Sequence, residues 1–238
     1  MVFISIFVSS LLVSLGIFFG LWFVSDGISN RAMQGLTVTG SAQMDEVADT
    51  AVWSIYVNTQ LPTIEASVKK VESDTKAIIE YLASQGIASS EITTGGVSTA
   101  TAFEFVNGAQ TSNIIGYTAS NNIKVRSKEV QKVKSAAENI GNVLQTGISA
   151  STGAPEYYLS DLASIRPKVI AEAVKDARQR AEAMVSSLGG EIGNPITGSS
   201  GSVQVNPPDS IESEYGSYDT STIEKSVRAV ITITFEVN

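Results

Sequence analysis

Residues 226–238 read SVRAVITITFEVN, and apolar side chains occupy every second position of this stretch. The alternating residues are Val227, Ala229, Ile231, Ile233, Phe235 and Val237. A period of two with one apolar face is typical of a half-buried β-strand. A strand this long and apolar has to be paired, covered or shared with another subunit. The stretch therefore predicts a sheet, and it raises assembly through sheet edges as a function.

Two earlier regions also predict strands. A strand begins at Gly35 (GLTVTGSA), and a turn around Met44–Ala48 leads to a second, alternating strand, DTAVWSIYVNTQ at 49–60. Further on, VSTATAFEF and NIIGYTASNNIKVR predict a hairpin. Its connection, Val106–Ser112, contains Asn107-Gly108 but is longer than two residues, so we expect a flexible tip instead of a tight type I′ turn.

Three segments have apolar residues at helical spacing. The first, opened by Pro62 and ended by Gly86, carries Ile64, Val68, Val71, Thr75, Ile78 and Leu82. The second carries Val130, Val133, Ala137, Ile140 and Leu144. The third carries Ile170, Val174, Ala177, Ala181, Met184 and Leu188. Charged residues occupy the other side of the third helix. Glu172 with Lys175 and Asp176 with Arg180 are three and four residues apart, the spacings at which side chains on a helix form ion pairs, which indicates a solvent-facing side. Its small residues, Ala177 and Ala181, would let it lie close to a sheet.

The order of these elements defines the expected fold. A strand near Thr146–Leu159 precedes the third helix, and EIGNPITGSSGSVQVN after it indicates a strand interrupted by turn residues. Residues 206–223 form a polar, acidic segment that we expect to be a flexible loop. The order β-β-α-β-β-α-β-α-β-β predicts one α+β domain over residues 35–238, a mostly antiparallel sheet covered by about three helices.

The N-terminal region predicts a membrane anchor. Residues 2–24 contain no charged side chain, and about 20 apolar residues suffice to span a bilayer. A cleaved secretory signal is the main alternative, but no basic residue precedes the run and no convincing cleavage site follows it. A soluble buried helix is a third reading. We therefore expect a membrane anchor within residues 1–25, a polar tether at 26–34, and a soluble domain after it. The few charged residues beside the anchor barely specify on which side of the membrane that domain lies.

Composition excludes several classes of mechanism. The 238 residues include neither cysteine nor histidine, which excludes Ser-His-Asp and Cys-His nucleophiles, disulfides, and zinc sites built on those side chains. The formal net charge is −8, so nucleic-acid binding would need a segregated basic patch, which the sequence does not show. We expect no nucleic-acid partner and no cofactor.

Catalytic motifs are weak. Ser67–Lys70 and Ser73–Lys76 match S-x-x-K, but neither S-D-N nor K-T-G follows, and both are expected on the exposed polar flank of an ordinary helix. The run 198–202, GSSGS, fails the G-x-S-x-G pattern at its last residue, and no histidine is present to complete a triad.

Two binding motifs are equally weak. Carboxylates at 209, 212, 214 and 219 could gather around calcium, yet their spacing is not that of an EF-hand, so no metal site is predicted. Gly16 and Gly20 form a GxxxG in the apolar span, a pattern that packs transmembrane helices, with passive anchoring as the alternative.

Four pieces in this order resemble the SIMPL domain of bacterial periplasmic and outer-membrane-associated immunogenic proteins, a domain once classed as of unknown function. They are VTGSAQMDEVADTAVWSIYV, SQGIASSEITTGGVS, GYTASNNIKVRSKEVQKV and DARQRAEAMVSSLGGEIG, and the resemblance covers about residues 35–238. This chain departs from the pattern in having Val47-Ala48 where proline often stands, a longer acidic segment, and a retained anchor.

The resemblance implies an extracytoplasmic location, no known catalytic residues, a tendency to form large hollow homo-oligomers, and a loose link to envelope or oxidative stress tolerance. Three hypotheses follow. The first is a membrane-anchored protein that assembles into a ring or cage. The second is a monomer or small oligomer that binds a peptide or envelope component through residues 206–223. The third is an enzyme of unrecognised class, for which no residue pair stands out.

Overall fold

The computed structural model describes residue 20 and residues 35–210 and 217–238. In these residues the fold is α+β with mostly antiparallel sheets, as predicted. The helices are α1 (Ile64–Ser84), α2 (Val130–Asn139), the short α3 (Gly141–Leu144) and α4 (Leu162–Ser186). The strands are β1 (Gly35–Val47), β2 (Thr50–Leu61), β3 (Ile92–Thr94), β4 (Ser98–Val106), β5 (Ala109–Ser127), β6 (Ala150–Thr152), β7 (Glu156–Tyr158), β8 (Ile192–Ser200), β9 (Gln204–Asn206) and β10 (Glu224–Val237).

The strands form two sheets where the sequence predicted one, and the chain divides into two compact units. Of the described residues, the terminal unit comprises Gly20, 35–42, Ile170–Gly201 and Val230–Asn238. The central unit comprises Gln43–Val169, 202–210 and 217–229. Alternating apolar residues identify a strand but not the strand that pairs with it. The number of sheets could therefore not be predicted from the sequence.

The core of the central unit lies between one face of β2–β5 and the helix α1. β2 and β5 pair antiparallel from Ala51↔Ser127 to Leu61↔Tyr117. The odd-numbered side chains at 51–57 of β2 and 119–127 of β5 are buried on the face that contacts α1, and each large apolar one contributes about 1.5–3 kcal/mol. The indole N–H of Trp53, in this core, donates to the carbonyl oxygen of Gly153 at 3.0 Å. The predicted apolar face of the second strand is confirmed.

Helix α1 begins after Thr63, whose hydroxyl accepts a hydrogen bond from the backbone N–H of Ala66. Most of the predicted stripe is buried, but Ile64 is 49% exposed, so the prediction was wrong for that residue. Ser67 and Asp74 are buried instead. Their side chains form hydrogen bonds within the unit, and such bonds allow a polar group to replace an apolar one on a buried face.

The β4–β5 hairpin is tighter than predicted. Val106 pairs with Ala109, so the turn consists of Asn107 and Gly108 alone. Their φ values are 51° and 81°, the positive pair that a type I′ turn requires and that Asn-Gly adopts at low cost. The expectation of a long flexible tip was therefore wrong, and the ladder continues through residues that the sequence assigned to a loop.

The predicted strand near Thr146–Leu159 is two short strands, β6 and β7, which both pair with β2. Residues 153–155 separate them, and Pro155 has no N–H with which to continue a ladder. The turn predicted around Met44–Ala48 is also shorter than expected, because β1 extends to Val47.

In the terminal unit, β10 pairs antiparallel with β8 from Ile231↔Ser200 to Val237↔Ile192. The alternating side chains of β10 are buried as predicted, except for Val237 at the end of the strand, which is 42% exposed. Thr37 and Thr39 of β1 share side-chain hydrogen bonds with Thr234 and Thr232.

Helix α4 buries only part of the predicted stripe, namely Ala177 and Ala181. Val174, Met184 and Leu188 are exposed, whereas its buried face is lined by Ala173, Ala177, Ala181 and Val185 in the terminal unit. The small side chains allow contact with β1 at Gly40, where an added Cβ would lie 2.3 Å from the carbonyl oxygen of Ala173. The close approach predicted from Ala177 and Ala181 is thus confirmed.

Both ion pairs expected on α4 are present, Glu172 with Lys175 and Asp176 with Arg180. Asp176 also accepts a hydrogen bond from the backbone N–H of Ser41 in β1 at 2.8 Å. The charged side of the helix is therefore mainly solvent-facing, with one carboxylate attached to the adjacent strand.

Candidate functional site

The predicted membrane anchor, residues 2–24, lies outside the described residues, except for Gly20. Gly20 is helical and exposed, with no atom within 4 Å of an added Cβ, while Gly16 falls outside the description. Within the described ranges, none of the helices combines the length and apolar character that crossing a membrane requires. Packing through Gly16 and Gly20 stays a prediction.

Ser67, the first serine of the S-x-x-K matches, was expected on an exposed flank, and that expectation was wrong. Its side chain is fully buried, and its hydroxyl lies 2.6 Å from the carbonyl oxygen of Tyr117 and accepts from the backbone N–H of Leu61 at 3.1 Å. The hydroxyl thus connects the first turn of α1 to the end of β2 and to the middle of β5. Lys70 is directed to the carboxylate of Asp74 at 2.6 Å, not to the serine. The contacts of Ser67 are those of a structural hydrogen-bonding group.

Asp219, expected in a flexible solvated loop, instead accepts an unusual number of hydrogen bonds. Its carboxylate is bound by the hydroxyl and backbone N–H of both Ser221 and Thr222, at 2.6–3.1 Å. The ammonium of Lys225 lies 2.7 Å from Oδ2 of Asp219 and 2.7 Å from its carbonyl oxygen. The side chain of Lys225 is wholly buried, so Asp219 is its neutralising partner.

These contacts shift the pKa of Asp219. Burial, the largest single effect, opposes ionisation, but the hydrogen bonds from Lys225, Ser221 and Thr222 outweigh it together and hold the pKa of the carboxyl far below its usual range. Asp219 is therefore ionised at all ordinary pH values. Its oxygens are already occupied by donors of the chain itself, which leaves little capacity for a calcium ion.

The other calcium candidates are not brought to Asp219 by the described structure. Glu212 and Glu214 lie outside the described residues, and Asp209 lies on a cleft wall. Among the described residues, no three acidic side chains gather closely enough to hold a metal ion.

A second attachment lies just before Asp219. The hydroxyl of Tyr218 accepts from the backbone N–H of Leu159 at 2.9 Å, and its ring stacks on Tyr158 with centroids 6.0 Å apart. Residues 217–223, predicted as part of a flexible loop, are therefore held to β7 and β9 by specific contacts. Sequence reasoning missed this because the partners are remote along the chain.

Beside this segment lies a cleft of about 710 Å³ in the central unit. Its lining includes Lys134 and Glu138 of α2, Asp209, and residues 221–224. Tyr157 lines it as well, and burial together with the charge of Glu138 raises the pKa of its phenol. The cleft offers charges of both signs around a partly apolar wall.

The second candidate surface is the ribbon, defined as residues 101–116 of the β4–β5 hairpin. The pairing of β5 with β2 stops at Leu61↔Tyr117, so beyond that point the described ladder consists of β4 and β5 alone. Four large apolar side chains on the ribbon are 49–66% exposed, namely Phe105, Val106, Ile114 and Ile115. The sequence contains the signal, since AFEFV and NIIG are apolar, but only the strand register shows that these residues extend past the sheet.

Two solved structures show weak similarity to the chain. One is an amidase of the hydantoinase/carbamoylase family from Burkholderia vietnamiensis, with 9% identity, a TM-score of 0.24, and coverage of 55% of this chain and 32% of the amidase. The other is a protein described as an aminohydrolase from methicillin-resistant Staphylococcus aureus, with 12% identity, a TM-score of 0.26, and coverage of 59% and 39%. The chain thus spans well under half the length of either. Such scores carry no argument about function.

The family comparison is more informative. No curated protein is similar enough to the chain to be matched. The family model for SIMPL, described as a protein of unknown function (DUF541), matches residues 36–235, which include parts of both compact units and confirm the resemblance seen in the four sequence pieces. The chain therefore belongs to the SIMPL family.

Proposed function

We propose that the chain is a non-catalytic, membrane-anchored protein whose domain self-assembles into a large homo-oligomer on the extracytoplasmic side. The observation that carries assembly is the exposed apolar surface of the ribbon. The anchor is proposed from residues 2–24, and the hollow ring or cage and the link to stress tolerance are proposed from the family resemblance alone.

The ribbon has the properties of an interface element. A two-stranded hairpin without a third strand is only marginally stable in water. It also presents unpaired strand edges, which are ready to pair with another chain. Each of its large apolar side chains would contribute about 1.5–3 kcal/mol on passing from full exposure to full burial. A second copy of the chain is the proposed occupant, because every copy supplies both a ribbon and sheet edges to receive one.

Replacing Phe105 and Ile115 together by serine is expected to reduce the oligomer to single chains, since both side chains are more than half exposed and their loss removes interface without disturbing the core. The mass of the full-length protein in mild detergent, measured by light scattering with gel filtration, reports the change. Leu188→Ser is the matched control, because Leu188 is 88% exposed and lies outside the ribbon.

A chain that begins at Gly35, measured in parallel, separates the roles of domain and anchor. If the full-length chain and this shorter chain are both large, the domain carries assembly. If only the full-length chain is large, the anchor drives association, and Gly16 and Gly20 become the residues to substitute. A full-length protein that is already a single chain at low concentration contradicts the proposal.

A second candidate function is a binding module for an envelope peptide that uses residues 206–223, and the cleft that Asp209 and residues 221–224 help to line favours it. Replacing residues 211–216 with a glycine-serine linker of equal length leaves Asp219 and its hydrogen bonds in place. On this hypothesis the variant no longer recovers the partner from a detergent extract but keeps its mass. A variant that recovers the partner as well as wild type would contradict it, and a fall in mass would assign the segment to assembly.

A further inference from the structure

The outer face of the β2–β5 sheet lies opposite the face that packs on α1 and is mostly solvent-exposed, although Val52 in its last row is buried. Even-numbered residues of the two strands form the rows of this outer face. Across the register the rows are Gln60↔Thr118, Asn58↔Ser120, Tyr56↔Asn122, Ser54↔Lys124 and Val52↔Arg126. With a rise of about 3.3 Å per residue, the rows extend for roughly 26 Å. The face changes in chemistry along that length, from neutral to basic.

The neutral half is a groove of about 730 Å³. It is lined by Tyr56, amide and hydroxyl side chains and two alanines, and no charged residue lines it, although 17% of the chain is charged. Within the described residues the side chains of Gln60, Ser98 and Ser120 form no hydrogen bond, so their donors and acceptors are free for a ligand. Tyr56 is 44% exposed and offers a ring at the centre of the face.

This combination fits a sugar. Hydroxyl groups of a sugar both donate and accept hydrogen bonds, as amide and hydroxyl side chains require of a partner. The C–H face of a sugar ring is apolar and can lie on an aromatic side chain, while the hydroxyl of that tyrosine remains available for a polar contact.

The basic half is a row of cations. Lys124 and Arg126 alternate along the exposed side of β5 at a spacing of about 7 Å, and the exposed Lys128 follows just beyond the end of the strand. Lys124 and Arg126 form no salt bridge in the described part of the chain. They line a cavity of about 280 Å³.

The groups around that cavity leave an excess of positive charge. Glu156 is the carboxylate that lines it, and the hydroxyl of Tyr158 donates to Glu156 at 2.9 Å. Asp49 lies near Lys128, and its oxygens accept hydrogen bonds from Ser160. Lys124 and Arg126 therefore outnumber the one carboxylate beside them.

We propose that this outer face binds an acidic polysaccharide, a linear, hydroxyl-rich polymer that carries carboxylates. Sugar rings lie in the neutral groove around Tyr56, and a carboxylate pairs with Lys124 and Arg126 one row further along the same strands. A nucleic acid fits less well, because its phosphates would meet no cation in the neutral half and would be repelled by the net charge of the protein.

The test uses the full chain in mild detergent and isothermal titration calorimetry, with an oligogalacturonate as the probe. Dextran oligomers test sugar without charge, and polyphosphate tests charge without sugar. We expect the oligogalacturonate to bind, and to bind more weakly as salt is raised. Joint replacement of Lys124 and Arg126 by glutamine should weaken binding at least about tenfold, because charge-assisted hydrogen bonds are lost.

Variants of Tyr56 separate recognition of sugar from that of charge. Tyr56→Ala should weaken binding about fivefold or more, whereas Tyr56→Phe, which keeps the ring, should retain it within about threefold. Joint replacement of Lys76 and Lys175 by glutamine is the matched control. It removes the same charge from exposed helix positions and should leave binding unchanged.

Four outcomes would overturn the proposal. They are no binding of the oligogalacturonate, equal binding of polyphosphate with no effect of Tyr56→Ala, equal weakening by the control variant, and a fall in particle mass on replacement of Tyr56 or Lys124. The last result would identify the face as an interface between copies. Thermal unfolding of each variant confirms that a loss of binding is not a loss of fold.

Discussion

Gly40→Ala is expected to lower the free energy of unfolding by about 2–3 kcal/mol, at the upper end of the usual cost of overpacking. The added Cβ would lie 2.3 Å from the carbonyl oxygen of Ala173, and 2.5 Å and 2.7 Å from the backbone nitrogen and the Cβ of Ala177. Two of these three atoms belong to the helix backbone, so no side chain can rotate away, and β1 and α4 have to separate. Thermal or denaturant unfolding measures the loss.

Gly96→Ala is the matched control, since an added Cβ at Gly96 meets no atom within 4 Å. It should leave stability unchanged or raise it slightly, because alanine restricts the unfolded chain. Gly40→Val should cost more than Gly40→Ala. If Gly40→Ala unfolds like the control, the close packing of β1 against α4 is not a determinant of the fold.

The same contact shows where sequence reasoning succeeded and where it failed for the helices. The 3.6-residue period located α4, and its alanines indicated close approach to a sheet. The 3.6-residue period could not decide which of two overlapping stripes on the helix is buried. A prediction from hydrophobicity favours the stripe with the larger apolar residues over the one lined mainly by alanine. Ala173 and Ala177 lie in the buried stripe where Gly40 of β1 approaches the helix closely, whereas Leu188 lies beyond the end of α4 and is 88% exposed.

Strands were predicted well where one face is buried, as in β2 and β10, and less well where pairing is set by a turn. Asn107-Gly108 was visible in the sequence, but the polar residues after it suggested a loop. The φ values of the pair show that the turn chemistry decided the register. Because the turn is tight, β4 and β5 continue as the ribbon, and the exposed apolar surface proposed for assembly depends on that register.

The candidate sites depended on contacts that local patterns do not contain. Ser67 bonds to Leu61 at the end of β2 and to Tyr117 in the middle of β5, and the outer-face groove is lined by side chains from β2, β4 and β5. The alternating cations at the end of β5 and just after it are visible in the sequence NIKVRSK. Only the positions of the carboxylates show that Lys124 and Arg126 form no salt bridge in the described part of the chain. Family membership was the one functional inference that the sequence carried fully.

Asp219→Asn is expected to destabilise the protein by about 3–5 kcal/mol, because it leaves the charge of Lys225 buried without a counter-charge. The side chain of Lys225 is fully buried and that of Asp219 is 11% exposed, so water cannot replace the lost partner. Lys225→Met should cost less, about 1–3 kcal/mol, since Asp219 keeps the hydrogen bonds from Ser221 and Thr222. Denaturant unfolding of the two single variants and of the double variant gives the coupling between them.

The pH dependence follows from the depressed pKa of Asp219. The stability that Asp219 contributes is complete above the carboxyl's unfolded pKa of about 3.9 and is lost as the pH falls towards its lower folded pKa. Wild type should therefore lose stability between about pH 4 and pH 2 more steeply than Asp219→Asn, which has no such carboxyl to protonate. Asp161→Asn, at an exposed carboxylate, is the control and should follow wild type. Parallel acid profiles for wild type and Asp219→Asn would show that the segment after residue 216 is not fastened through this ion pair.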